Sequence, residues 1–231
     1  MKSKENGVMT KTHIEEYAPD IRLMNIYTDE VQDWDTAHAT NIRLSVPCDF
    51  KYKKELERQG YIFADRMYDV SVNLMRSKID YAKMVRITPE YTKENRQEIK
   101  DIAHECFLTD RRFHVDIEYN QNKADIIMDN WIDKLDGAYI CRYKEDAAGF
   151  IAIKSEDDKQ AYIHLAAVRE KYRPAGIALS MYAYAIQQCR EKGYRNVKGY
   201  ISSRNIPVMN LYTYLGASFE AATDVYLKEV R

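Results

Sequence analysis

Residues 161–178 read AYIHLAAVREKYRPAGIA: an alternating strand runs into a short basic loop and then into a glycine that opens a helix. No other stretch restricts the fold as much. A helix N-terminus presents unpaired backbone N–H groups and about half a positive charge, and glycine lets the backbone approach an anion with no Cβ in the way. Arg169, Lys171 and Arg173 add local positive potential. The pattern fits a phosphate-binding turn. It also fits an ordinary strand-to-helix connection with solvated charges.

Over 231 residues the chain is 45% hydrophobic and 31% charged, the balance of a globular protein with capacity for a sizeable core. A net charge of −1 argues against a general nucleic-acid binder, so any basic site must be local. The opening residues, MKSKENGVMTKTHIEEY, lack the apolar run of a signal peptide or membrane span, which predicts a cytosolic protein with no membrane partner. Cys48, Cys106, Cys141 and Cys189 lie far apart without a CxxC pair and read as small buried apolar residues rather than zinc ligands or disulfides. The histidines are equally scattered, and no metal is expected. His104 and Cys106, two apart on a helix, point to different faces.

From Val85 onward the pattern is regular. Residues 85–87 read as a strand end, and Thr88-Pro89-Glu90 as the N-cap, first position and acidic first turn of a helix that buries Ile99, Ile102, Ala103, Cys106 and Phe107. A second helix over 122–135 buries Ala124, Ile127, Met128, Trp131 and Leu135. Residues 138–143 and 148–154 read as a hairpin, and an acidic turn leads into the strand 162–168. The helix after Gly176 ends at Gly193. A strand over 197–201, a helix capped by Asn205 with Pro207 just inside it, and a strand near 225–229 complete the order. The fold class expected is α/β (α+β mixed), with helices on a mixed, mainly antiparallel sheet that has strand 162–168 at its centre. Residues 1–84 are harder to read: a helix over 51–59 stopped by Gly60, then a long strand over 61–74. A soft boundary near residues 80–83 divides 1–84, an N-terminal acceptor-side region, from 85–231.

That order of elements, together with Arg173-Pro174-Ala175-Gly176-Ile177-Ala178, resembles the GNAT superfamily of acyl-coenzyme A N-acyltransferases, whose loop motif is Arg/Gln-x-x-Gly-x-Gly/Ala. Asn205, Leu211-Tyr212 and Leu215-Gly216-Ala217 repeat the spacing of the family's Asn…Leu-Tyr…Leu-Gly helix. The resemblance implies acetyl-CoA as co-substrate, with the pantetheine arm pairing with backbone near Leu165–Val168, Ala166 and Val168 among it. It also implies pyrophosphate on the amides of 173–178, and a contact from Asn205. Capping of the last helix accounts for Asn205 equally well. Tyr212 is the expected catalytic residue, because expulsion of a thiolate needs a proton and a phenol can give one. The alternative is that it is one of 19 tyrosines packing a helix on the sheet. Where some relatives carry a glutamate base, this chain has Tyr162. His164, two residues on, would share its face and is a second relay candidate, although water-mediated or substrate-assisted deprotonation fits better.

Residues 33–35, Asp-Trp-Asp, the strand 59–66, and Asp110-Arg111-Arg112-Phe113-His114 with the helix after it are similar to TDP-4-amino-sugar (TDP-fucosamine) N-acetyltransferases. The usual Trp-Asp-Ser-x-Phe-Phe-Gly run is Trp34-Asp35-Thr36-Ala37-His38-Ala39-Thr40 here. Three readings of function follow: an N-acetyltransferase acting on a nucleotide-linked amino sugar, the same chemistry on a protein N-terminus or small-molecule amine, or a non-catalytic acyl-CoA sensor. A homodimer is left open.

Overall fold

The computed structural model describes residues 10–108, 110, 113–114 and 120–230. The chain passes through β1 (Lys11–Ala18), β2 (Ile21–Tyr27), β3 (Asn41–Pro47), α1 (Lys53–Arg58), β4 (Ile62–Asn73), β5 (Thr88–Thr92), α2 (Arg96–Cys106) and α3 (Gln121–Asp133). It continues through β6 (Ala138–Tyr143), β7 (Asp146–Ser155), β8 (Gln160–Val168), α4 (Ile177–Glu191), β9 (Asn196–Ser202), α5 (Ile206–Tyr214) and β10 (Ser218–Glu229). From β5 on, this is the order expected from pattern.

One boundary differs. Thr88-Pro89-Glu90 does not open a helix but forms the start of β5, paired antiparallel with β6 through Pro89↔Cys141, and α2 begins only at Arg96. Proline's fixed φ suits a helix start and an edge strand alike. β5 is the last strand of the order, the kind of position in a sheet where proline is tolerated. The chain turns afterwards on Thr92, whose Oγ1 accepts from the N–H groups of Glu94 at 3.2 Å and Asn95 at 2.9 Å.

Two compact units emerge, one of residues 1–67, 109–127 and 222–231, the other of 68–108 and 128–221. Compactness thus groups the chain differently from the linear division at residue 84, because β4 and β10 each contribute residues to both units.

In the first unit the strand order is β1-β2-β3-β10-β4; β2 and β3 are parallel, whereas β1 with β2 and β10 with β3 are antiparallel. Ile26, Ile42, Leu44 and Val46 pack with Leu56 of α1, Tyr61 and Tyr226. Trp34 packs edge-on against Tyr61 at 6.2 Å. Asp224, 1% exposed, takes hydrogen bonds from Arg66 (Nε 2.6 Å, Nη2 3.0 Å) and Lys53 (2.5 Å). His114 is held between the Asp110 carbonyl at 2.9 Å and Gln121 Oε1 at 3.0 Å. Arg111 and Arg112 lie outside the described residues.

In the second unit the order is β4-β9-β8-β7-β6-β5, so β8 is interior as expected; β8 and β9 are parallel, and β5 to β8 are antiparallel in turn. Ile177, Met181, Ala185, Ile186 and Cys189 of α4 bury against Val70, Val72, Ile151, Ile163, Val197 and Ile201. Each fully buried aliphatic side chain is worth roughly 1.5–3 kcal/mol over leaving it in water. The α2 stripe of Ile99, Ile102 and Ala103 is buried too, while Cys106 and Phe107, expected in that stripe, are half-buried. Lys100–Asp133 and His104–Asp129 contacts, both 2.8 Å, tie α2 to α3. Arg190 near the end of α4 donates to the carbonyls of Ser77 (2.5 Å), Ile79 (2.6 Å) and Leu74 (3.3 Å), holding the turn after β4. No helix among the described residues is long and apolar enough to cross a membrane.

Candidate active site

β8 and β9 pair only through Gln160↔Asn196, Ala161↔Val197 and Tyr162↔Lys198, and from there to their C-terminal ends the two parallel strands have no paired register. On its other side β8 stays paired with β7 to Val168. The Arg169 N–H donates to the Ala148 carbonyl of β7 at 2.9 Å. Backbone groups alternate from edge to edge along a strand, so Ala166 and Val168 aim theirs at the edge that β9 has left. The ladder slips at His164: Ile163 pairs with Ile153 and Leu165 with Ala152, which makes His164 the extra residue of a bulge. The bulge does not part Tyr162 from His164: the in-and-out alternation of burial runs through both, and their rings meet at 6.4 Å on the face that the alternation predicts.

After β8 a 3-10 turn over Glu170–Ala175 leads to Gly176, with φ 72° and ψ 18°, at the N-terminus of α4. A Cβ at Gly176 would meet nothing within 4 Å, so the backbone conformation requires glycine, not lack of room. The three expected cations differ in their surroundings. Arg169 is paired with Glu105 and donates to the Ala147 carbonyl, and Lys171 lies 3.8 Å from Asp146, which also accepts from Tyr172. Among the described residues only Arg173 of the three has no carboxylate partner. Its Nε donates to the Val168 carbonyl at 3.2 Å, which sets it at the end of β8. Cys106 lies beside it, and burial pushes that thiol up to about 11 in spite of Arg173.

Tyr212, on α5, is 1% exposed and its ring meets that of Tyr182 edge-on at 5.4 Å. Burial holds its phenol well above the ordinary 10, and the neighbouring Tyr182 and Tyr162 push the same way. Its place is set by Gly199 of β9: a Cβ there would stand 2.1 Å from the Tyr212 hydroxyl and 2.7 Å from Cζ. Gly199 is the site residue that the sequence reading missed. Its signal was there, since a lone glycine within a strand often marks close approach. Nothing in the sequence marked Tyr182, which is 30 positions from Tyr212 and joined to it only by the fold.

Asn205 caps α5, its Oδ1 accepting from Val208 N at 3.3 Å, and Gly216, with φ 76°, ends the same helix. His164 is occupied otherwise than a relay would need. The Trp131 indole N–H donates to its Nε2, which leaves the ring proton on Nδ1.

An unpaired β8 edge, a left-handed glycine at a helix N-terminus and a buried neutral phenol by the diverging strand therefore lie in one unit. A sequence profile of the Acetyltransferase (GNAT) family matches residues 96–217. The chain belongs to the GNAT acetyltransferase family. No curated protein matches it. Among solved structures it is similar to a GCN5-related N-acetyltransferase from Sphaerobacter thermophilus at 15% identity and TM-score 0.62, covering 96% of this chain and 76% of that one. A conserved protein of unknown function from Staphylococcus epidermidis is similar at 11% identity and TM-score 0.63, covering 94% and 87%. A GCN5-related N-acetyltransferase from Kribbella flavida follows at 14% identity and TM-score 0.56, covering 90% and 82%.

The GNAT fold implies acyl-CoA binding, and the residues present fit such a group. Ala166 and Val168 offer strand-like backbone partners to an extended arm. Residues 173–178 offer helix-terminal N–H groups and Arg173 to phosphate.

Proposed function

We propose that this GNAT protein transfers an acetyl group from acetyl-CoA to a primary amine, with Tyr212 as the general acid. The observation that carries the reading is the buried Tyr212 phenol set against Gly199 on the strand that parts from β8. Acetyl-CoA would supply a thioester whose carbonyl carbon takes the amine and whose sulfur leaves as a thiolate. Backbone groups of Ala166 and Val168 hold the arm, and the N–H groups there stabilise charge on the carbonyl oxygen. The loop Arg173, Pro174, Ala175, Gly176, Ile177 and Ala178 holds the pyrophosphate, with Asn205 contributing from the α5 terminus. Tyr212 stays protonated throughout the physiological pH range because its pocket disfavours the phenolate, and so it keeps a proton to give. His164, with Nε2 engaged by Trp131, is a packing residue, and the amine loses its proton to water or to the acceptor's own groups.

For the acceptor, the reading carried forward from the sequence of residues 33–35 and 59–66 is a nucleotide-linked amino sugar, with residues 1–84 on the acceptor side. The Trp34–Tyr61 contact gives those two aromatics a packing role as well. A protein N-terminus or a small-molecule amine is the alternative. A thermal-shift screen of amino sugars, nucleotide sugars and peptides with coenzyme A present separates them, because only a bound acceptor adds stability beyond coenzyme A. Gly176→Asp tests the cofactor half: a carboxylate at the loop should weaken acetyl-CoA binding severely in calorimetry, and unchanged affinity would remove the reading.

A further inference from the structure

One carboxylate of the second unit has no counter-charge, and it stands beside the strand that leaves β8. β4 is the neighbour of β9: the Leu74 N–H donates to the Arg195 carbonyl at 2.8 Å, and Val70 Cγ2 lies 3.2 Å from where a Cβ on Gly199 would be. Moving back along β4 from Leu74 to Val70 thus moves forward along β9 from Arg195 to Gly199, so the two strands are antiparallel and Asp69 stands beside Tyr200. That is beyond Lys198, the last residue of β9 paired with β8. Val70 and Gly199 share the face of Tyr212, which α4 and α5 fill. Alternation turns Asp69 to the other face. There β9 presents Lys198, Tyr200 and Ser202, all half-buried, whereas Val197, Gly199 and Ile201 on the α4 side are buried. An acceptor reaches the opened edge from the half-buried face.

We propose that Asp69 is a specificity-determining residue for the acceptor: its carboxylate, which has no cation of its own, pairs with the ammonium of the incoming amine and holds that nitrogen at the opened edge. This rests on the reading of the protein as an acetyltransferase acting on a primary amine. Asp69 lies outside residues 96–217, the stretch that matches the family profile.

The charges around Asp69 show why an ammonium suits it. The side chain is half-buried and, among the described residues, accepts no hydrogen bond and joins no ion pair. Lys198 of β9 is the cation that bears on it, yet its Nζ is turned to Glu156 in the turn before β8, 3.5 Å away. Glu220 of β10 adds a second negative charge. Burial first, then Glu220 and Glu156, hold the Asp69 carboxyl above the ordinary 3.8 against the pull of Lys198. A half-buried anion without a counter-ion costs stability, and a bound ammonium removes that cost. A primary amine arrives at neutral pH mostly as that cation, and once held it loses its proton to water before attack.

The test compares the full chain with Asp69→Asn, which keeps the shape and removes the charge. Because the folded value is raised, the ionised group costs stability that is absent in acid and complete once pH has risen past that value. Asp69→Asn should therefore melt higher than wild type at neutral pH, and the two should draw together in acid. With acetyl-CoA saturating and glucosamine, tyramine or glycylglycinamide as acceptor, KM for whichever amine is acetylated should rise roughly tenfold to a hundredfold, while kcat and KM for acetyl-CoA hold. An equal KM for the amine in the two proteins overturns the role of Asp69 and leaves acetyl transfer standing. So does a variant that melts lower at neutral pH or fails to fold, since either means that the carboxylate has a partner inside the protein. If none of these amines is acetylated, the melting curves decide alone. Acetyl-CoA that does not bind the wild type in calorimetry removes the acetyl-transfer reading itself, and the role of Asp69 with it.

Discussion

The two units bury polar groups in opposite ways. In the first, Asn25, Thr28, Asn41, Ser45, Asp65, His114 and Asp224 are buried, and Asp224 sits between two cations. In the second, the buried polar side chains among the described residues are Ser71 and Ser180, beside the phenols of Tyr182 and Tyr212. A buried charge is held by its counter-charges and is expensive to move, whereas a buried neutral phenol keeps its proton and can part with it. The first arrangement serves stability, and the second can serve chemistry.

The contrast breaks most visibly at Tyr212. Tyr212→Phe should lower turnover about a hundredfold to ten-thousandfold, which is roughly 3–5 kcal/mol of barrier, with the melting temperature little changed. A variant that loses stability and keeps its turnover would make Tyr212 a packing residue like those of the first unit.

Arg66→Met should do the reverse, costing roughly 2–3 kcal/mol of stability without an effect on the chemical step. The figure is kept below that of a wholly buried pair because Arg66 is 40% exposed and water can reach it. Burial alone would raise the Asp224 carboxyl, but the hydrogen bonds from Arg66 and Lys53 outweigh it and hold the group below the ordinary 3.8. With the folded value depressed, the contribution is complete above the unfolded value and is lost as pH falls through the folded one. Denaturant titrations of wild type and Arg66→Met should therefore differ constantly from pH 7 to about 4 and converge below that. A difference that grows on acidification would contradict the assignment.

Gly199→Ala sharpens the comparison from inside the second unit. The new methyl overlaps the Tyr212 hydroxyl and should destabilise by roughly 1–2 kcal/mol through overpacking, with turnover falling further than stability explains. In a Tyr212→Phe background the nearest clash is gone, so the same substitution should cost less, and equal costs would mean that the two residues do not meet. The smallest effect is expected at Asn205. Asn205→Ala removes the cap of α5 and should cost about 1 kcal/mol; acetyl-CoA affinity that stays unchanged would give it to the helix alone.

Much of this was legible beforehand where the physics is local. Alternation marked β8, glycine marked both ends of α4, and Asn205 with Pro207 marked the start of α5, because each residue acts within a few positions of itself. Thr88-Pro89-Glu90 misled for the same reason: proline suits two local structures, and only an edge position in the sheet decided between them. In the basic loop the sequence showed three residues adding local positive potential but not their partners: Glu105 and Asp146, distant in sequence, pair with Arg169 and Lys171.

Residue order thus settled the family's loop and helix, the strand between them and the phenol on the helix, since spacing along a chain is all that these require. Folding decided which edge of β8 is open, where the ladder slips at His164, and that Tyr182, Gly199 and Tyr212 meet. Those are matters of register and burial, and both arise only when segments far apart in sequence compete for the same face and the same hydrogen bonds.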